Sequence, residues 1–476
     1  MGRGISKSKR TSAGNNRTAK SNNTQICRRE KIPAEGAKLS EVLYKTRKHF
    51  FPEFRNWLEE IVDPRNKNKI IYDLKHVVWV GILLFLCKLA SRRQIKFNFN
   101  TQEIINNINL ISESIAEQIE HPDTLAYLLE RLNPECLSKL RTKLIRELIR
   151  KKCLERYRLL GLYYLIVIDG TGHLVFKKRH CKHCLTKKVK TKNGKTVTYY
   201  YHHELLEAKL VCSNGLVFSV ATEFIENVDP RAKKQDCELN AFRRLTEKLK
   251  ESFPQLRICL LLDSLYAAIP VIEICEKNGW KYIITFKSGS MPNVYQEYES
   301  LKELSKENFA EYKDEKIKQE FYWVEDVLHY KEETTCVSNV LECVEFNGKG
   351  KTRFVWLTNF NVNQTNYQEI AGGGRLRWKI ENEGFNVQKT WDYNLEHAYS
   401  KDNNAIKNFY FLLQIAHILS QLMEKGSLLI ETIKKVYGSI QNFSRKLLES
   451  LRRDLLSLEK LQNEFLRPFQ IRLDTS

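Results

Sequence analysis

The sequence lacks the features of an exported or membrane-spanning protein. Its longest uncharged apolar run, VVWVGILLFLC at residues 77–87, is too short to cross a bilayer and predicts a buried helix. Residues 1–30 are polar and basic, which argues against a secretory signal. The twelve cysteines are scattered except for Cys181 and Cys184, a distribution that favours free thiols in a reducing compartment. We therefore expect a cytoplasmic protein with no membrane partner.

Acidic residues are scarce in two segments, and the resulting charge indicates a polyanionic partner. Residues 1–36 carry nine Lys or Arg against two Glu, and residues 177–195 carry nine against none. These segments together supply most of the net charge of +21 on the 476-residue chain. A basic run is commonly a solvated face, but two concentrated runs favour nucleic acid. The polar, basic tail at 1–37 is predicted to be disordered.

Apolar periodicity divides the remainder into a helical part and a mixed part. Residues 38–158 follow a helical pattern and predict an N-terminal helical domain for DNA binding, in which Asp123 and Asn133 each cap a helix. From residue 159, strand-length apolar runs such as LYYLIVIDG and RICLLLDS alternate with helical segments. This order predicts an α/β fold with a mixed sheet. The proposed boundaries are 159–289 for the first part of a core, 290–360 for a β-strand insertion, 361–425 for the second part of the core, and 426–476 for a helical C-terminal region.

Two aspartates are predicted to end buried strands. Asp169 closes LYYLIVIDG and Asp263 closes RICLLLDS. Ligands bind at the carboxyl ends of strands in open α/β sheets, so both side chains are candidates for a functional site. A turn or helix-capping role is the alternative for either aspartate taken alone.

A third acid lies in RLRWKIENEGFNVQKTW, residues 375–391, which we interpret as one α-helix. At about 100° per residue, Glu381 falls between two apolar strips, where a carboxylate is unfavourable unless it is paired or binds a cation. Glu383 falls on a solvated flank. Two aspartates and Glu381 would supply the hard oxygen ligands that suit Mg²⁺. Arg377, one turn away, would contact phosphate or brace the carboxylate.

The motifs LIVIDGTG, CLLLDSLYA and RLRWKIENEGFN resemble the three acidic motifs of DDE transposases from bacterial insertion sequences. They are most similar to the group with a β-strand insertion between the second Asp and the Glu. The resemblance implies a ribonuclease-H-like core in which Asp169, Asp263 and Glu381 are catalytic and hold two Mg²⁺ or Mn²⁺ ions. It also implies a nucleoid-associated homodimer that cuts double-stranded DNA at transposon ends and joins the freed 3′-OH to target DNA.

The resemblance is incomplete at a related Tyr/Arg/Glu/Lys signature. Arg377 and Glu381 match it, but Gly374 and Gln388 stand where the family has Tyr and Lys. Lys389 comes one residue late. By resemblance, Arg377 contacts DNA. Lys389 would have the same role only if a lysine one residue later can replace the Lys of the family.

The segment 173–203 concentrates five of the eleven histidines around the Cys181–Cys184 pair. Two Cys at this spacing and two nearby His would complete a zinc site, although no second Cys pair is present. The alternative is a basic loop with incidental thiols. Either interpretation makes the loop lysines candidate phosphate contacts. These lysines are Lys187, Lys188, Lys190 and Lys192.

Three functions remain open from the sequence. The favoured one is an active transposase that works by two-metal phosphoryl transfer. A ribonuclease-H-like nuclease that cuts DNA without joining it would share the triad, and a non-catalytic DNA-binding descendant would not need it. Lys287 and Ser288 are weaker candidates for a DNA contact, with a solvated loop as the alternative. Tyr322, Trp323 or Trp356 is a candidate for stacking on an unpaired base, although core packing is the commoner role of Trp.

Overall fold

The computed structural model describes residues 38–190, 197–227, 235–331, 334–348, 350–429, 437–466 and 470–473. The predicted tail at 1–37 and Lys192 lie outside the described residues, and for Lys190 only the backbone is described. The described residues belong to one compact unit that spans 37–476.

Ten strands of the described chain form one mixed sheet at the centre of the fold. Along the sheet their order is β2-β3-β1-β5-β6-β10-β9-β8-β7, and β4 also pairs with β3. The strands are β1 (Tyr164–Phe176), β2 (Leu185–Lys190), β3 (Val197–Val211), β4 (Val217–Ile225), β5 (Ile258–Leu262), β6 (Lys281–Thr285), β7 (Phe309–Lys313), β8 (Lys318–Lys331), β9 (Thr334–Asn347) and β10 (Gly350–Thr358).

The strand directions confirm the predicted ribonuclease-H-like core. β3 runs antiparallel to both β1 and β4, whereas β5 is parallel to β1 and β6 is parallel to β5. The sequence SNG at residues 213–215, a typical hairpin turn, joins β3 to β4. Gly215 has a φ of +88° there, which residues with a side chain rarely adopt. β10 pairs antiparallel with β6, so the inserted strands β7 to β10 continue the core sheet.

Helices precede, interrupt and follow the sheet. They are α1 (Leu39–Phe50), α2 (Phe54–Glu59), α3 (Leu74–Leu86), α4 (Gln94–Asn98), α5 (Gln102–Ser112), α6 (Pro122–Arg131), α7 (Pro134–Arg150), α8 (Glu238–Ser252), α9 (Ile269–Asn278), α10 (Pro292–Leu304), α11 (Tyr367–Arg375), α12 (Asn386–Thr390), α13 (Asn403–Lys425), α14 (Ile440–Arg453) and α15 (Leu458–Phe465). Among the residues described, no helix combines the length and the apolar character needed to cross a membrane.

Of the two residues predicted to cap helices, one does so and the other does not. Asn133 caps α7 as predicted, because its side chain accepts a hydrogen bond from the Glu135 amide. The prediction that Asp123 caps the next helix upstream is wrong. That helix, α6, starts at Pro122, and the side chain of His121 is the cap that accepts from the Asp123 amide.

The two faces of the sheet bury two hydrophobic clusters. The larger cluster includes Ile166 and Ile168 of β1 together with residues of α3, α7 and α13. Helix α13 is buried along most of its length and packs against α3, α6, α7 and β4, so helices from both ends of the chain share one core. The smaller cluster joins Val167 of β1 to Ile380 and Phe385, which places the segment that carries Glu381 on the opposite face.

Candidate active site

Asp169 and Asp263 lie on neighbouring strands at the same level of the sheet. β1 pairs with β5 only from Tyr164 to Val167, and β5 ends at Leu262, immediately before Asp263. Asp263 therefore follows its strand as predicted. Asp169 does not end its strand as predicted, because β1 continues to Phe176 as the antiparallel partner of β3.

The charge of Asp263 acts on the carboxyl group of Asp169. Burial raises the pKa of Asp169 to about 6; the Arg377 guanidinium opposes this shift, while the Asp263 and Glu238 carboxylates reinforce it. Arg377 Nη1 lies 3.7 Å from Asp169 Oδ2. One oxygen of each aspartate accepts a backbone amide, from Gly170 at 3.0 Å and from Leu265 at 2.8 Å. Asp263 thus also has the capping role that was the alternative, and each aspartate has a second oxygen available for a ligand.

Glu238 is a fourth carboxylate that sequence reasoning missed. It is the first residue of α8 and lies against the backbone beside Asp169, since a Cβ on Gly170 would be 3.1 Å from Glu238 Cδ. Tyr266 Oη donates a hydrogen bond of 2.5 Å to Glu238 Oε1. Burial raises the pKa of Glu238, the Tyr266 hydrogen bond opposes that shift, and the Asp263 charge reinforces it. Acids are common in the first turn of any helix, so no local pattern distinguished Glu238 as a site residue.

The segment that carries Glu381 is not the continuous α-helix that the sequence predicts. Helix α11 ends at Arg375 and is followed by a 3₁₀ turn at Leu376–Trp378 and a π-helical stretch at Ile380–Phe385. The assumed 100° per residue therefore fails here. On that assumption Trp378 would share an apolar strip with Phe385, but its side chain is 58% exposed. π-Helical turns are rare and occur frequently at functional sites.

Glu381 and Glu383 have different surroundings within this stretch. Lys379 Nζ donates to Glu383 Oε1 at 2.9 Å. The half-buried Glu381 carboxylate makes no hydrogen bond or ion pair with any residue that the structure describes. The π-helical stretch packs against β1 and β4. Within the described chain, however, Asp169, Asp263 and Glu381 are not a group whose ligand atoms all lie within 4.8 Å of one another.

The two departures from the family signature have structural reasons. A Cβ on Gly374 would lie 2.7 Å from Trp356 Nε1, so the Trp356 ring fills the space that a Tyr side chain would enter. Trp356 itself is only 3% exposed, which makes it a core residue. Gln388 is buried, and its Nε2 donates a hydrogen bond to Oε1 of Gln414 on α13. The same oxygen accepts a hydrogen bond from Lys209 Nζ at 3.1 Å. A network of buried amides thus holds α12 against α13.

We expect Gly374→Ala to lower the free energy of unfolding by about 1–3 kcal/mol, because the rigid Trp356 ring must move to admit the methyl group. Gly372→Ala is the matched control on the same helix. Its Cβ would meet nothing within 4 Å, so the substitution should stabilise the protein by about 0.5–1 kcal/mol. Urea denaturation measures both changes, and equal effects at the two glycines would contradict the packing argument.

A groove of about 870 Å³ opens beside Asp263. Its walls combine cationic and aromatic side chains, including Lys287, Arg353, Arg377 and Trp378. Trp378 packs against the guanidinium of Arg377, which lies 4.3 Å from its ring centroid. Positive charge next to Asp263 suits this groove to an anionic backbone.

The predicted basic loop at 173–203 is largely a hairpin of β2 and β3. β2 pairs antiparallel with the first residues of β3, and Lys187 and Lys188 are exposed on β2. Lys389, another predicted DNA contact, lies outside this hairpin and beside an acid, since its Nζ is 3.5 Å from Glu396 Oε1.

Replacing Lys187 and Lys188 together by Ala should weaken DNA binding and flatten the slope of log K against log salt by up to about two units. Filter binding at several salt concentrations measures the slope. A double variant of exposed lysines on α9 and α14, Lys277→Ala with Lys446→Ala, removes the same charge elsewhere. Equal slopes for the two double variants would mean that the hairpin faces solvent in the complex.

Comparison with known proteins agrees with this geometry. The family model described as a transposase DDE domain matches residues 160–419, more than half of the chain. A search of curated proteins gave no significant match. The matched range contains the sheet together with Asp169, Asp263 and Glu381. The chain therefore belongs to the DDE transposase family.

Proposed function

We propose that the protein cuts DNA at transposon ends and joins the freed 3′-OH ends to target DNA by two-metal phosphoryl transfer. The observation that carries this proposal is the position of Asp169 on β1 beside Asp263, which directly follows the neighbouring strand β5, with the pKa of Asp169 raised to about 6 by burial. Arg377 and the Gly170 amide oppose the crowded negative charge there, and a divalent cation would stabilise the ionised carboxylates further.

The donor chemistry fits Mg²⁺ or Mn²⁺. Asp169, Asp263 and Glu381 offer oxygen atoms only, which are the ligands that these hard cations prefer. When bound, the ions stabilise charge on the attacking and leaving oxygens of the phosphate. Among the residues that the structure describes, Glu381 has no hydrogen-bond or ion-pair partner, which leaves its carboxylate free to bind a metal ion. Glu238, held by Tyr266, keeps a further negative charge beside the aspartates and helps to retain cations.

The basic side chains around the site would hold DNA. Arg377 reaches from Asp169 into the groove, where Lys287 and Arg353 also lie. Trp378, which is exposed, replaces the buried Trp323 and Trp356 as the aromatic residue suited to stack on an unpaired base. The remaining proposed phosphate contacts are Lys389, Lys187, Lys188, Lys190 and Lys192.

The N-terminal helices would add a second DNA contact. A groove of about 990 Å³ lies where the segment after α7 meets the C-terminal residues of the chain. Its lining includes five basic side chains and a single acid, Glu155. The basic side chains are Lys151, Lys152, Arg156, Arg158 and Arg472. This groove supports the proposal that residues 38–158 contribute to DNA binding, and a homodimer would present two copies to paired ends.

A strand-transfer assay tests the proposed function. Labelled end DNA, taken from the inverted repeats that flank the gene, is incubated with the protein, Mg²⁺ and a target plasmid. Labelled plasmid supports the transposase, and the product should disappear when EDTA is added. Cleaved ends without labelled plasmid would instead favour the nuclease, and DNA binding without cleavage would favour the non-catalytic descendant.

A further inference from the structure

Four side chains from the histidine-rich segment converge on one point. The ligand atoms of His180, Cys181, Cys184 and His203 all lie within 4.8 Å of one another. Cys184 Sγ lies 3.4 Å from Cys181 Sγ, 3.3 Å from His180 Nδ1 and 3.6 Å from His203 Nε2. Cys181 Sγ lies 3.5 Å from His203 Nε2. The separation of the two sulfur atoms excludes a disulfide, whose S–S bond is about 2.05 Å.

The four separations given above, 3.3–3.6 Å, lie close to the edges of a zinc tetrahedron. Zinc–sulfur bonds of about 2.3 Å and zinc–nitrogen bonds of about 2.0 Å place neighbouring ligand atoms roughly 3.4–3.8 Å apart. Thiolate and imidazole donors select zinc over magnesium, because soft ligands favour soft or borderline metals. We propose that His180, Cys181, Cys184 and His203 bind one structural Zn²⁺, a site separate from the proposed magnesium site.

The structure also selects two histidines from the five in the segment. His202 precedes His203 on β3 and points to the opposite face, where its Nε2 lies 3.1 Å from Glu204 Oε1. The ring of His173 packs against Tyr410, and His183 Nδ1 lies 3.9 Å from Glu226. With four protein ligands the site is closed to solvent ligands, which is typical of structural rather than catalytic zinc.

The position of the four residues indicates what the ion does. His180, Cys181 and Cys184 lie in the connection between β1 and β2, whereas His203 lies in β3 opposite Leu174 of β1. One ion therefore ties the β1–β2 connection to β3 at the base of the hairpin that carries Lys187 and Lys188. This metal cross-link would fix the direction of the basic hairpin relative to β1, the strand that holds Asp169.

Metal analysis of the purified full-length protein tests the site. Protein prepared without chelators should contain about one zinc per chain. Cys181→Ser and His203→Gln should each lose the zinc, whereas the matched controls Cys237→Ser, an exposed thiol, and His202→Gln should retain it. Asp169→Asn combined with Asp263→Asn should also retain it, which excludes zinc held at the carboxylates. Wild-type protein without zinc, or loss of zinc in the control variants alone, would overturn the site.

Hydrogen exchange tests the role of the ion separately. Removing zinc should accelerate amide exchange in peptides that cover β2 and the first half of β3, and leave β5 unchanged. Cobalt added back to the stripped protein should restore protection and give the visible absorption of tetrahedral Co²⁺ with thiolate ligands. If amide exchange in β2 does not respond to the metal, the ion does not hold the hairpin in place and this role is wrong.

Discussion

Asp169→Asn and Asp263→Asn are each expected to abolish cleavage of transposon ends while leaving the affinity for end DNA nearly unchanged. Metal ions contribute several kcal/mol of charge stabilisation in the transition state, so loss of a ligand should lower the rate by at least about 10³-fold. DNA affinity comes mainly from Lys and Arg, which both variants retain. Cleavage of labelled ends in Mg²⁺ and an electrophoretic mobility shift measure the two effects.

The control for this pair is Asp123→Asn, which changes an exposed aspartate on α6. It should cut at the wild-type rate. If an Asn variant at 169 or 263 also cuts at close to that rate, the residue concerned is not a metal ligand.

The same Asp169 variant should have a second, thermodynamic signature. Because the folded protein raises the pKa of Asp169 to about 6, the ionised carboxylate destabilises the fold at neutral pH. Asp169→Asn removes that charge and should raise the melting temperature of the metal-free protein. Mg²⁺ should stabilise the wild type more than the variant, because only the wild type keeps the full ligand set. A variant that gains as much from Mg²⁺ as the wild type would place the ion elsewhere.

Glu381→Gln should also eliminate cleavage, whereas Glu383→Gln should be mild. Glu381 has no protein partner among the described residues and is the candidate third ligand, so the loss should match that of the aspartate variants. Glu383 is paired with Lys379, and its replacement should change stability by no more than about 1 kcal/mol. Both substitutions preserve shape and remove one charge, which makes each the control for the other.

Opposite results would reassign the third acid. The π-helical stretch at Ile380–Phe385 changes the direction of every side chain after Lys379 relative to an α-helix. If the Glu383 variant is inactive and the Glu381 variant is active, Glu383 is the acid that meets the aspartates in the DNA complex. Circular dichroism of both variants would verify that the loss is not a loss of folding.

The sequence by itself determined the elements that depend on local patterns. Strand-length apolar runs, the SNG turn and the Asn133 cap each act through neighbours a few residues away, so β1, β5, the β3–β4 hairpin and α7 were predictable. The position of Asp263 directly after β5 followed in the same way. The combination of three acidic motifs also identified the family correctly.

Only the tertiary structure decided the features that depend on residues far apart in the chain. Glu238 joins the site because α8 begins beside Gly170. Gly374 stands in place of Tyr because the ring of Trp356 on β10 fills the space that a side chain would need. His203 rather than His202 meets the cysteines because strand pairing sets which face of β3 each occupies. The π-helical stretch forms where Ile380 and Phe385 are buried in the cluster that contains Val167. In each case the deciding interaction is packing between distant segments, which no local pattern of residues encodes.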